Sequence, residues 1–369
     1  VTLEDPTPFF LDLCAFVTLL PAHLPSVERW GDGWTRPGRM VSNGAYVLAG
    51  WRLNDRVSLA KNPHYWNRDG VAMGTIDVLP GARANTAFNY YATGAADLML
   101  DKGLAPTALL DKLRERRDFH SAPFLGTYFV RFNASRKPFD DPRVRQAFAR
   151  VLDRERYVAK ITRAGEPPAY SFVPDGAAGY RAAMGWGRDP EAARRLLAEA
   201  GYPGGAGFPL VNYLYKGDSD MDRDLAVELQ AAWRRELGVH VALQGQEWKV
   251  YLRSMSSLDY DLCRSSWVGD YLDPNTFLDM FVTGGGNNRT GWGDPEYDAW
   301  IAAAARERDG AARFDILRRA EWRLVGEACP IVPLFHYVGI QMYDRERLGG
   351  IEANLLDEHP LKEMYWKRR

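Results

Sequence analysis

Cysteine is nearly absent, with three residues in 369 (Cys14, Cys263 and Cys329). Their odd number excludes complete pairing within the chain, and no two stand at a metal-binding spacing. Cys263 in YDLCRSSW and Cys329 in ACPIVPL lie in apolar, strand-like surroundings, which reads as buried inert thiol rather than nucleophile. Histidine is scarce too: the six are scattered, with no pair at the i, i+4 spacing of a helical site, so no metal and no cofactor is expected. Neither sign of charge dominates. Lys and Arg number 47 against 48 for Asp and Glu, so no global field favours nucleic acid or an anionic membrane. The longest apolar runs are too short to span a bilayer. No export signal opens the chain, which starts at Val1 in mid-pattern, and an upstream segment is expected to be missing. G-x-S-x-G, H-E-x-x-H, a Walker loop and G-x-G-x-x-G are all lacking, and the glycine-rich GGGNN (284–288) reads as a loop.

What is abundant is aromatic: twelve tryptophans and eighteen tyrosines, residues that give a binding site flat apolar walls with polar tips. The length suits two domain-sized lobes. YVLAGWRLNDRVSLAKN predicts a hairpin turning at Asn54-Asp55, TIDVLP a strand, NTAFNYYATG a helix stopped by Gly94, and ADLML another strand. A helix is expected over 104–117, then a strand at GTYFVRFNA. Asp-Pro pairs recur at Asp141-Pro142, Asp189-Pro190, Asp273-Pro274 and Asp294-Pro295, each joining an N-cap acceptor to a residue with preset φ. Strands PLVNYLY, VHVALQ and YDLCRSSW alternate with helices DRDLAVELQAAWRRELG and one starting at Glu247, which argues for an α/β layered fold. Two helices (about 295–307 and 310–327), two strands (IVPLFHYV and GIQMYD) and an irregular basic tail complete the reading.

One stretch holds more acid than its helix needs: RSSWVGDYLDPNTFLD, 264–279. Asp273-Pro274 supplies the helix start, which leaves Asp270 spare, flanked by Trp267, Gly269 and Tyr271. It stands at the carboxyl end of a strand, where open α/β sheets bind ligands, and a carboxylate fenced by aromatics suits a cation such as a primary ammonium. A turn aspartate or surface ion pair is the plainer alternative. Arg264, six residues earlier, shares a face with Asp270 if the strand runs on, and either holds a ligand carboxylate or pairs with Asp261 or Asp259. Trp248 in QEW is a site wall or ordinary packing. A glycoside hydrolase would use acids such as Asp270, Asp273 and Asp279. Yet Asp273 is committed to capping and nothing adjacent raises the other two pKa values, so no enzyme is expected.

SNGAYVLAGWRLNDRVSLAKNPHYWN, KPFDDPRVRQAFARVLDRE, ARRLLAEAGYP, LGVHVALQGQEWKVYL and SSWVGDYLDPNTFLD, in that order over nearly the whole chain, resemble successive blocks of one family. It is the peptide-binding family of extracytoplasmic solute-binding proteins of bacterial ABC importers, and the oligopeptide-binding members are the most similar. The resemblance implies a two-lobed periplasmic-binding-protein-like fold with mixed sheets (class II type), the lobes closing on ligand like a hinged trap. It maps the α-ammonium-binding aspartate onto Asp270, pocket tryptophans onto Trp267 and Trp248, and a carboxylate-holding arginine onto Arg264. Main-chain hydrogen bonds and roomy, wet side-chain pockets would bind peptides with little sequence preference.

Three departures qualify the likeness. Relatives can carry a disulfide between the GTYFV strand and the W-x-x-D-Y loop, where this chain has Gly126 and Val268. A second basic residue near QEW is replaced by Met255, with Arg253 close by. The family's N-terminal segment has no counterpart, so one lobe is expected to be incomplete. Residues 126–340 should form a nearly complete lobe, and 1–125 with 341–369 part of the other. The expectation is a monomer, periplasmic or otherwise extracytoplasmic and lipid-anchored or free, that delivers short peptides to an ABC permease. Another solute on the same fold (an oligosaccharide, a nickel chelate or haem) is the alternative, with a glycoside hydrolase ranked below it.

Overall fold

The computed structural model describes residues 1–80 and 83–368. Eleven strands follow in order: β1 (Tyr46–Arg52), β2 (Arg56–Lys61), β3 (Thr75–Val78), β4 (Leu98–Met99), β5 (Phe119–Phe132), β6 (Val211–Lys216), β7 (Val241–Gln246), β8 (Leu262–Val268), β9 (Ile331–Tyr343), β10 (Leu348–Gly349) and β11 (Tyr365–Trp366). The chain divides into two compact units, Val1–Leu13 with Leu125–Tyr337, and Cys14–Phe124 with Val338–Arg369. The first thirteen residues thus fall with the larger unit, not with the lobe expected for 1–125. Phe9 ties them there with its ring stacked on Tyr271 at 5.3 Å between centroids, together with the Thr7 N–H on the Ala305 carbonyl and Asp5 on Arg306, both at 3.1 Å. No helix among the described residues is long and apolar enough to cross a membrane.

In the smaller unit β1, β2 and β3 form an antiparallel meander. Asn54, at φ +58°, makes the β1–β2 turn, a conformation its short polar side chain tolerates. The helix Ala84–Ala92 ends two residues before Gly94, which takes φ +75°. The helix expected over 104–117 is instead broken into short turns around Thr107–Leu113. The tail adds the small β10–β11 pair, whose Leu348 packs with Tyr343, Ile351 and Met364.

The larger unit is a mixed sheet in the order β9-β5-β8-β6-β7 with helices on both faces. β6 runs parallel to both β7 and β8, while β5 is antiparallel to β8. Alternation along β5 sends Tyr128, Val130 and Phe132 to one face, where they join Tyr213, Phe148, Leu225, Leu229 and Trp233 in the main core. The helix Asp220–Leu237 closes this face, capped by Ser219 and ended by Gly238 at φ +71°. On the opposite face Leu214 and Cys263 pack with Tyr251, Met255 and Tyr260. Three Asp-Pro pairs open the helices Pro142–Arg150, Pro190–Glu199 and Pro295–Arg306, each aspartate accepting a backbone N–H of the first turn.

Two strands were expected over 331–344, yet β9 is continuous. Gly339 does not break it; a Cβ there would run into the Asp357 carboxyl, so the glycine answers close packing rather than a turn.

Candidate functional site

Parallel β6, β7 and β8 bring their carboxyl ends, Lys216, Gln246 and Val268, to one edge of the larger unit's sheet. Trp248 follows β7 by two residues and Asp270 follows β8 by two, so the register places both at this edge. The helix Trp248–Ser256 is capped by Glu247, whose carboxylate accepts the N–H groups of Lys249 and Val250. Trp248 itself is 39% exposed, stacked on Tyr251 at 5.4 Å, with the Lys216 ammonium 5.9 Å from its ring centroid. Trp267 is half-buried, and its indole N–H donates to the Thr276 carbonyl at 2.7 Å.

Asp270 leaves the strand through Gly269, whose N–H donates to the Leu125 carbonyl at 2.8 Å. A Cβ on Gly269 would lie 2.6 Å from Leu125 and 3.1 Å from the Phe277 ring, so this glycine is required by packing beneath the loop. The Asp270 N–H donates to Thr276 Oγ1 at 3.1 Å, which fixes the backbone. Its side chain reaches solvent, and among the described residues no cation or donor meets its carboxylate. Partial desolvation still pushes that carboxyl above the ordinary aspartate range. The nearby Asp279 side chain reaches solvent, yet crowding by its surroundings and then the negative charge of Asp270 push its carboxyl up to about 6, while the Asn275 amide opposes the shift. Both shifts run against the sequence reading, because desolvation is set by the folded surroundings and not by residue type.

Two other expectations change on the structure. Tyr271, expected to fence the Asp270 carboxylate, is only 6% exposed, stacked on Phe9 and holding the Asn275 amide on its hydroxyl. It anchors the loop from below. Arg264 does not pair with Asp261, which takes Arg136 at 3.0 Å; its Nε lies 3.4 Å from Asp222 Oδ2 instead. Strand β8 also ends at Val268, so even spacing no longer puts Arg264 and Asp270 on one side. The pairing of Tyr128 with Ser266 and of Val130 with Arg264 puts Arg264 on the face opposite Trp267.

Thr276, Asp222 and Arg313 were missed. Thr276 holds both the Asp270 N–H and the Trp267 indole; a threonine six residues past the acid carries no local sign of this. Asp273 does cap Asn275, accepting its N–H at 2.8 Å, but it also makes a bidentate pair with Arg313 at 2.7 and 2.8 Å. Among the described residues no group of three or more His, Cys, Asp or Glu is placed to hold a metal ion.

Comparison with known proteins gives a consistent answer. Residues 1–289 match the model of "Bacterial extracellular solute-binding proteins, family 5 Middle". The periplasmic oligopeptide-binding protein OppA of Salmonella typhimurium is 32% identical over 373 residues, covering 99% of this chain and 68% of that protein. A periplasmic oligopeptide-binding protein from Borrelia burgdorferi superposes with a TM-score of 0.86 at 32% identity, covering 99% of this chain and 73% of the other. Haemophilus influenzae OppA in complex with the peptide RPPGFSPFR gives 0.81 at 27% identity, covering 98% and 72%.

Proposed function

Because the chain belongs to family 5 of the bacterial extracellular solute-binding proteins, we propose that it binds short peptides outside the cytoplasm, holds their α-ammonium on Asp270 and passes them to an ABC import permease. Its fold is the two-lobed, mixed-sheet fold of that family, and the family and these relatives are binding proteins rather than enzymes. The observation that carries the reading is the state of Asp270. A partly desolvated carboxylate with no partner of its own, held by a fixed backbone, is a destabilised anion that an incoming ammonium would relieve. Trp267, three residues before it, and Trp248, at the same sheet edge beyond β7, would supply ring faces to peptide side chains, while Gly269 and Tyr271 support the loop.

Calorimetry with trialanine and N-acetyl-trialanine tests this. Acetylation removes the charge and should weaken binding at least about tenfold, the worth of a charge-assisted hydrogen bond, and Asp270→Ala should remove that difference. Equal affinity for the two peptides refutes the role of Asp270. Turnover of chromogenic glycosides that disappears in Asp270→Asn would overturn the binding-protein reading altogether.

A further inference from the structure

Arg264 is charged, lies on β8, the strand whose carboxyl end leads into the proposed site, and is tied up. Its side chain is 12% exposed and that of Asp222 1% exposed. Asp222 Oδ2 lies 3.4 Å from the arginine Nε, and Asp222 Oδ1 accepts the Tyr128 hydroxyl at 2.7 Å. The Tyr128 ring lies under the guanidinium, 4.9 Å from its carbon. Asp222 is held in turn by the start of its helix, where its N–H donates to Ser219 Oγ at 3.2 Å. Each ion has given up water and depends on the other for compensation. Seen from outside, the pair is a neutral dipole. A ligand carboxylate approaching the guanidinium meets the Asp222 charge only a few ångströms further on, and the two Coulomb contributions largely cancel.

We propose that Asp222 withdraws Arg264 from ligand recognition, so that this protein reads a peptide's amino end and is indifferent to its carboxylate. The proposal rests on the peptide-binding reading above and names the substrate class it admits: peptide amides and chains that continue past the site, on equal terms with free acids. Asp222 is then the residue that sets specificity, acting through Arg264.

The test uses trialanine, its C-terminal amide and N-acetyl-trialanine against the wild type, Arg264→Gln, Asp222→Asn and the double variant, with circular dichroism to establish folding. The acid-to-amide affinity ratio should lie within about twofold of one in the wild type and at or below one in Arg264→Gln, which leaves the Asp222 charge unopposed. Asp222→Asn keeps an acceptor for Tyr128 but unmasks the guanidinium, and should raise the ratio at least about tenfold; Arg264→Gln added to it should cancel the gain. A wild-type ratio of about ten or more that Arg264→Gln abolishes overturns the proposal, as does a folded Asp222→Asn protein whose ratio stays at one. Should Asp222→Asn fail to fold, the wild type and Arg264→Gln still decide. Failure of the amino-end assignment shows separately, as equal binding of free and acetylated peptide.

Discussion

Replacing Arg313 with leucine should cost the protein about 3–5 kcal/mol, the price of leaving a buried carboxylate without its cation. The pair it breaks is well shielded: the Arg313 and Asp273 side chains are 4% and 7% exposed, and the two guanidinium nitrogens meet the two carboxylate oxygens at 2.7 and 2.8 Å. Arg313 also donates from Nε to the Ala304 carbonyl at 3.1 Å and lies 5.5 Å from the centroid of the Phe9 ring. Asp273→Asn should be destabilising by a similar mechanism with the signs exchanged, although asparagine can still accept the Asn275 N–H. The decisive quantity is the coupling. Asp273→Asn with Arg313→Leu leaves no uncompensated charge, so the double variant should be at least about 2 kcal/mol more stable than the sum of the single losses predicts. Urea unfolding followed by tryptophan fluorescence measures all four proteins. Strict additivity, or an Arg313→Leu protein within about 1 kcal/mol of wild type, would refute the reasoning.

Three further outcomes are expected. Glu321 is fully buried and accepts the N–H groups of Phe172, Val173 and Ala183 and the Tyr180 hydroxyl, yet burial pushes its carboxyl up to about 7 from 4.5. The folded state therefore holds this proton more tightly than the unfolded chain; the stability it contributes is complete below about pH 4.5 and lost as the pH rises through about 7, about 3 kcal/mol in all. Stability measured across that window should slope less in Glu321→Gln, and identical slopes would count against the assignment. Asp270→Asn should lower the pKa of Asp279 from about 6 towards the ordinary range by removing a neighbouring charge, a change that carboxyl carbon NMR titration would detect or exclude. Gly269→Val should displace Leu125 or Phe277 and weaken both folding and peptide binding, and an unperturbed melting temperature would show that the loop has room the geometry denies it.

Local chemistry was readable wherever cause and effect lie within a few residues. Asp141, Asp189 and Asp294 accept the first-turn amides their Asp-Pro spacing implies, and Glu247 caps the helix it precedes. The residues of the proposed site were likewise nameable, because the W-x-x-D-Y pattern and its aromatic setting are contiguous. What stayed hidden depends on partners far along the chain. Tyr271 turns inward because Phe9 waits there, and Arg264 is neutralised by an aspartate 42 positions away whose place in a helix's first turn gives no hint of it. Gly339 has the look of a strand break, and only the approach of Asp357 explains it. Arg313 reads as one more helix-surface cation until the Asp273 loop is laid over it.

Gly126 and Val268 face each other directly across β5 and β8, at the positions where a disulfide was noted as absent. The space a side chain would need at Gly126 is taken by the ring of Tyr337, 2.5 Å from where a Cβ would sit. The aromatic ring thus fills the space that a cross-link at Gly126 would need. With Cys14, Cys263 and Cys329 all unpaired, the loop bearing Asp270 keeps its register without reference to the redox state of its surroundings. An engineer wishing to staple these strands would have to trim Tyr337 before a cysteine could replace Gly126.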